Sequence, residues 1–143
     1  MSNPFLNRKF IIAALAGSSL LALASGAREV RPPAPVHLSP QDLHWVPLPE
    51  FGGQEAIIHR SADGKRVAAA FRESGKSSFT YPFDEFLVVT SGSLTVHVHG
   101  GETFTLRQGD VAYFHQGTAV DFEFSKDFSD ITCLMGDEPV RWR

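Results

Sequence analysis

The sequence predicts an all-β fold built as a single domain. Three observations carry that expectation. Short apolar or alternating runs recur from Leu43 onward, glycine-containing turn signals separate them, and no apolar period of 3.6 persists long enough for a helix. The runs are Glu55–Arg60, Arg66–Arg72, Ser78–Tyr81, Glu85–Thr90, Ser93–His99, Glu102–Leu106, Val111–Phe114, Ala119–Phe124 and Ile131–Met135. Asp63-Gly64, Ser91-Gly92 and Gly100-Gly101 suit tight hairpins, because glycine supplies the positive φ that such turns require. Gln108-Gly109-Asp110 and Gln116-Gly117-Thr118 close the later connections. About eight or nine short strands at this spacing make a sandwich or a barrel.

With 143 residues the chain has room for one such domain and a short leader. The formal charge is −3, and basic residues cluster no further than the pairs Arg8-Lys9 and Lys65-Arg66. Nucleic acid is therefore not an expected partner, since phosphate neutralisation needs a basic patch. Cys133 is the single cysteine, so no internal disulfide can form. Residues 1–27 read as a signal peptide, with a basic start at Arg8-Lys9, an apolar run from Phe10 to Ala24, and small-residue cleavage sites after Ala24 or Ala27. The apolar run falls short of the roughly 20 residues that span a bilayer as a helix. Export to the periplasm or medium is the expectation, with no stable membrane span once the leader is removed. An uncleaved N-terminal anchor is the alternative. Residues 28–42 are rich in proline and predict an extended linker, followed by the β-domain at 43–143.

Two glycine-framed segments carry a family resemblance. Glu85 followed by six residues and Gly92 matches the end of the pattern G-x5-H-x-H-x3,4-E-x6-G. Gly109, His115 and Gly117 fall on the frame of G-x5-P-x-G-x2-H-x3-N, with His115 in the proline position. These are the two motifs of the cupin superfamily, which the segment resembles over about residues 43–136. The stretches Tyr81–Val89 and Asp130–Leu134 look most like the subgroup of (S)-ureidoglycine aminohydrolase and the ethanolamine-utilisation Q-type cupins. The resemblance implies a jelly-roll barrel, the double-stranded β-helix of single-domain cupins, with a site inside it. It also shows what is missing. The first-motif histidines would fall at Phe79 and Tyr81, or at Ser78 and Thr80 with the longer spacing; the second-motif histidine falls at Val120 and its asparagine at Phe124. Of the usual ligands only Glu85 survives. One carboxylate cannot hold a transition metal against water, so the resemblance implies no metal bound in the usual way and no cofactor, with a divalent metal left open through other residues.

His97 and His99 are the obvious replacements, because their spacing puts both on one face of a strand. Strand parity argues against them. A two-residue hairpin at Ser91-Gly92 pairs Glu85 with Val98 and Phe86 with His97, and paired residues share a face. Glu85 then lies with Leu87, Val89, Leu94 and Val96, and the histidines lie opposite with Phe86 and Val88. His115 is a candidate acid or base at the barrel rim, set against the commoner role of a turn histidine bonded to backbone. A hairpin at His115–Thr118 would pair Tyr113 with Val120. The expected interior is therefore Phe79, Tyr81, Glu85, Leu87, Val111, Tyr113, Val120 and Phe122, a carboxylate among aromatics with two phenol hydroxyls. The Gly100-Gly101 hairpin sits less well with this picture, since it places Phe104 with His97 and turns Thr103 and Thr105 inward.

Burial should raise the pKa of Glu85, and a raised carboxyl suits a general acid or base. Phe86, Val88, Ala112 and Phe114 form a second apolar face, which predicts a homodimer through that face. Binding of a small polar metabolite in the barrel is the function these observations suggest. The alternatives are acid–base chemistry on a small ureide or amine, with Glu85 assisted by Tyr81 or His115, and a structural dimerisation module.

Overall fold

The computed structural model describes residues 32–142. The expected leader and the start of the linker lie outside them. Eight strands follow in order: β1 (Val46–Leu48), β2 (Gly53–Arg60), β3 (Arg66–Thr80), β4 (Asp84–Ser91), β5 (Ser93–Val98), β6 (Thr103–Arg107), β7 (Val111–Phe114) and β8 (Ala119–Met135). Single 3-10 turns at Pro40–Asp42 and Pro49–Phe51 flank β1. Among the described residues no helix is long and apolar enough to cross a membrane.

Strands β3 and β8 each join two of the runs expected from sequence. They pair along their whole length, from Arg66↔Met135 to Thr80↔Ala119. The ladder slips between Glu73 and Gly75, where Phe128 and Phe124 lie opposite, and Gly75 takes φ 82°. A slip of this kind bends a strand without ending it. The C-terminal half of β8 pairs with β4, and its N-terminal half pairs with β5. Two sheets therefore share the bent β3–β8 ribbon: β1-β2-β3-β8-β4-β7 on one side, and the β5-β6 hairpin added to the other half of β8.

Even-numbered positions of β8 face inward on both sides of the bend, with Lys126 exposed at the bend itself. Val120, Phe122, Phe124, Phe128, Asp130, Thr132 and Leu134 of β8 are all buried. In β3 the matching stripe includes Val67, Ala69 and Phe71, with Glu73 and Phe79 lining the same interior. The aromatic centre is continuous: Tyr81 stacks on Phe114 with ring centroids 4.8 Å apart, and Phe122 meets Phe124 at 5.4 Å.

Three expected pairings differ. Ser91-Gly92 is not a hairpin, because β4 pairs with β7 and β8 while β5 pairs with β6 and β8. The chain instead steps from one sheet to the other at Gly92, which takes φ 67° and packs so closely that an added Cβ would meet the Phe128 backbone at 2.8 Å. Likewise β7 does not fold back on β8. It pairs with β4 in the register Glu85↔Phe114 and Phe86↔Tyr113. Since partners share a face, Phe114 points inward and Tyr113 outward, the reverse of the expectation. Finally, the β5–β6 turn is offset by one residue, pairing Val96 with Phe104 and His97 with Thr103. Phe104 thereby packs against the core and Thr103 is exposed.

After β8 the chain closes over one side of the core. Val140 N–H donates to the Gly64 carbonyl at 2.8 Å, and Arg60 donates to the Val140 and Trp142 carbonyls at 2.9 and 2.6 Å. The Trp142 indole N–H donates to buried Glu55. Its ring sits among Phe51, Phe71, Phe79 and Phe83, with centroids 5.6–6.1 Å away.

Candidate functional site: a buried carboxyl cluster

Between the two sheets lies a cavity lined by Glu73, Glu85 and Asp130 together with aromatic and aliphatic side chains. Each carboxyl comes from a different strand, β3, β4 and β8. Counted over the positions a water centre can reach, the cavity measures about 40 Å³. At roughly 10–15 Å³ per water on that measure, it has room for about three.

Glu85 is buried where β4 crosses β8. Thr132 Oγ1 lies 2.5 Å from Glu85 Oε1 and 2.9 Å from the Phe86 carbonyl. A hydroxyl has one proton, and a carbonyl can only accept. Thr132 is the donor, and its single proton serves either Glu85 Oε1 or the Phe86 carbonyl. Burial raises the Glu85 pKa, against the lowering effect of its hydrogen bonds with Thr132 and Tyr81. Tyr81 is itself pushed well above the usual phenol range, by burial first and then by the adjacent Glu85 charge.

Asp130 is 4% exposed, and its Oδ1 has no hydrogen-bond partner among the described residues. Burial and the Glu85 charge push its pKa well above the carboxylate range, although the Phe71 backbone N–H pulls the other way. Glu73, at the bend of β3, is also raised well above the range, by burial and then by Asp130 and Glu85. No Lys, Arg or His lines the cavity to balance these groups. Three ionised carboxylates in so small a space without a counter-charge are disfavoured, because desolvation and mutual repulsion act in the same direction.

The sequence-derived candidates divide between two places. Phe79, Tyr81, Glu85, Leu87 and Phe122 line the cavity, and Val120 is buried in the adjoining core. Tyr113 and Val111, expected inside, are 48% and 57% exposed on the outer face. The register of β7 with β4 is the cause. Tyr113 donates to Asp84 at 2.7 Å, and exposed His115 sits beside it with ring centroids 5.0 Å apart. His115 is therefore not brought to Glu85. His97 and His99 lie on the outer face, where His99 meets Asp121 at 2.9 Å and His97 meets Thr103 at 3.0 Å.

Glu73, Asp130 and Trp142 were not singled out from sequence. Asp130 shares parity with Thr132 and Leu134, so extending β8 backward by one residue would have placed it inside. Glu73 likewise continues the odd-numbered stripe of β3.

The donor set does not suit a resident transition metal. The lining contains no His or Cys, and among the described residues no three or more His, Cys, Asp or Glu side chains are grouped to hold a metal ion.

A jelly-roll sandwich with its site between the sheets is the cupin architecture. Residues 61–129 match the family model for the EutQ-like cupin domain. Solved structures agree on the fold. A Salmonella typhimurium protein assigned to ethanolamine utilization as protein Q is 18% identical, covering 68% of this chain and 82% of its own, with a TM-score of 0.59. KdgF from Halomonas sp. is also 18% identical, covering 72% of this chain and 94% of its own at TM-score 0.59. The Schizosaccharomyces pombe Cnp3 cupin domain is 13% identical, covering 71% and 74% at TM-score 0.60. Such identities speak to fold alone. No curated protein sequence matches the chain.

Proposed function

We propose that this domain binds a small polar molecule in the barrel, without the transition metal usual for cupins. The observation that carries the reading is Asp130 Oδ1, a buried acceptor with no partner among the described residues, on a side chain that lines the cavity. Leaving such an atom unsatisfied costs about 1–3 kcal/mol, a cost that a bound hydrogen-bond donor removes. Cavity size restricts the occupant to a few heavy atoms unless side chains move. A thermal-shift screen of the purified protein against small amines, amides, ureides and acids tests the reading, with Asp130→Asn as the control. Hits that survive unchanged in the variant would place binding elsewhere. Stoichiometric Mn, Fe, Ni or Zn in the purified protein would overturn the metal-free part.

A second reading, acid–base chemistry on a small ureide or amine, draws on the raised Glu85 carboxyl beside Tyr81. Glu85→Gln should then abolish turnover while leaving binding of the same compound measurable.

The wider setting belongs to the same proposal. Export rests on the leader pattern at 1–27, and N-terminal sequencing of protein from a periplasmic fraction tests it. Self-association rests on the outer face of β7-β4-β8, where Phe86, Val111, Tyr113 and Ile131 are 40–57% exposed as neighbours in the ladder. A contiguous apolar sheet face of this kind is commonly covered.

A further inference from the structure

We propose that the cavity selects a small organic cation, an ammonium or guanidinium group of about three or four heavy atoms, held by Asp130 with Glu85 and Glu73. This rests on the binding reading above and narrows it to a ligand class.

Charge is the first argument. Asp130 on β8 is faced by Glu73 from β3, by Glu85 from β4 and by the Tyr81 hydroxyl from the segment after β3. Glu55 of β2 is turned to the Trp142 indole. Every titratable group lining the cavity is acidic. An anion is repelled, and a neutral donor satisfies Asp130 Oδ1 while the carboxyls stay protonated. A cation satisfies it and also stabilises the ionised form that burial otherwise disfavours.

The walls are the second argument. Phe79, Tyr81, Phe83, Phe122, Phe124 and Trp142 surround the carboxyls. Aromatic faces attract organic cations, by about 2 kcal/mol or more when desolvated. The carboxyls are also not grouped as metal ligands, whereas a guanidinium or ammonium group distributes its donors over several directions.

A cation binds the ionised carboxylate, so binding releases whatever proton the site holds. Affinity should rise by about tenfold per pH unit while one proton is displaced. The decisive pair of probes is guanidinium and urea, nearly the same shape but different in charge. The full chain, labelled with ¹⁵N, is titrated with millimolar guanidinium chloride, methylammonium chloride and urea, against sodium chloride at equal ionic strength. Guanidinium or methylammonium should saturably shift the amides of Asp130 and Thr132, more tightly at about pH 8 than at about pH 5.5. In Asp130→Asn that affinity should fall at least about tenfold, the loss of one charged contact. The variant keeps an acceptor for the Phe71 N–H, and a native-like spectrum establishes that it is folded. If urea binds as tightly as guanidinium and without pH dependence, the cation proposal fails and the small-molecule reading stands. If no probe of either charge saturates, both fail.

Discussion

Replacing Asp130 with asparagine keeps the size and the acceptor offered to Phe71 and removes one buried charge. The structure gives the sign of the effect. Burial raises the pKa values of Asp130, Glu85 and Glu73; the Glu85 charge adds to the rise at Asp130, and Asp130 and Glu85 add to it at Glu73. Above the carboxylate range of the unfolded chain, at about pH 4, the folded protein therefore holds more protons than the unfolded one. Its stability is greatest below that range and falls as pH climbs toward the folded pKa values. Each such proton contributes a slope of about 1.4 kcal/mol per pH unit. Asp130→Asn should remove one proton's share of that slope. Near pH 4 the variant and the natural protein should be almost equally stable, because a protonated carboxyl and an amide are close in shape and charge. Near pH 8 the variant should be more stable, by about 1.4 kcal/mol for each pH unit over which folded Asp130 alone keeps its proton. Urea unfolding at a series of pH values, followed by far-ultraviolet circular dichroism at constant m, measures this directly. A natural protein whose stability rises from pH 5 to pH 8, or a variant weaker at pH 8, would refute the reasoning.

Thr132→Val removes the hydroxyl shared by Glu85 and the Phe86 carbonyl and should cost about 1–3 kcal/mol, read as a lower urea midpoint. Trp142→Ala should open the aromatic side of the cavity and cost about 3–5 kcal/mol; binding of 8-anilinonaphthalene sulfonate should increase if the cavity is exposed. Gly92→Ala meets both a positive φ and the Phe128 backbone, and a loss of a few kcal/mol is expected. An unchanged midpoint there would show that the step between sheets is looser than described. Phe86→Lys should abolish self-association in sedimentation runs without lowering the urea midpoint, because that side chain is 40% exposed.

Local pattern settled much of this molecule. Period-2 alternation and the glycine punctuation were enough to predict an all-β domain, and the motif frames around Glu85-Gly92 and Gly109-Gly117 pointed to the cupin barrel. Alternation also put Glu85 on the face opposite His97, and that outcome held although β4 and β5 do not pair. Inward and outward positions along a strand follow from the pleat, whichever neighbour the strand takes.

What parity cannot supply is the identity of that neighbour. Tyr113 was expected inside because a hairpin with β8 was assumed; pairing with β4 turns Phe114 inward instead. The same limit hid the carboxyl cluster. Glu73 and Asp130 are ordinary acidic residues in sequence, the first near a glycine and the second at the edge of a run. They meet Glu85 only because β3 and β8 bend together at the Glu73/Gly75 slip and deliver residues from three strands to one cavity. The sequence by itself determined a β-barrel with one inward carboxylate. Only the tertiary structure decided that there are three, since non-local strand order fixes which side chains share an interior and thereby the charge that the interior must balance.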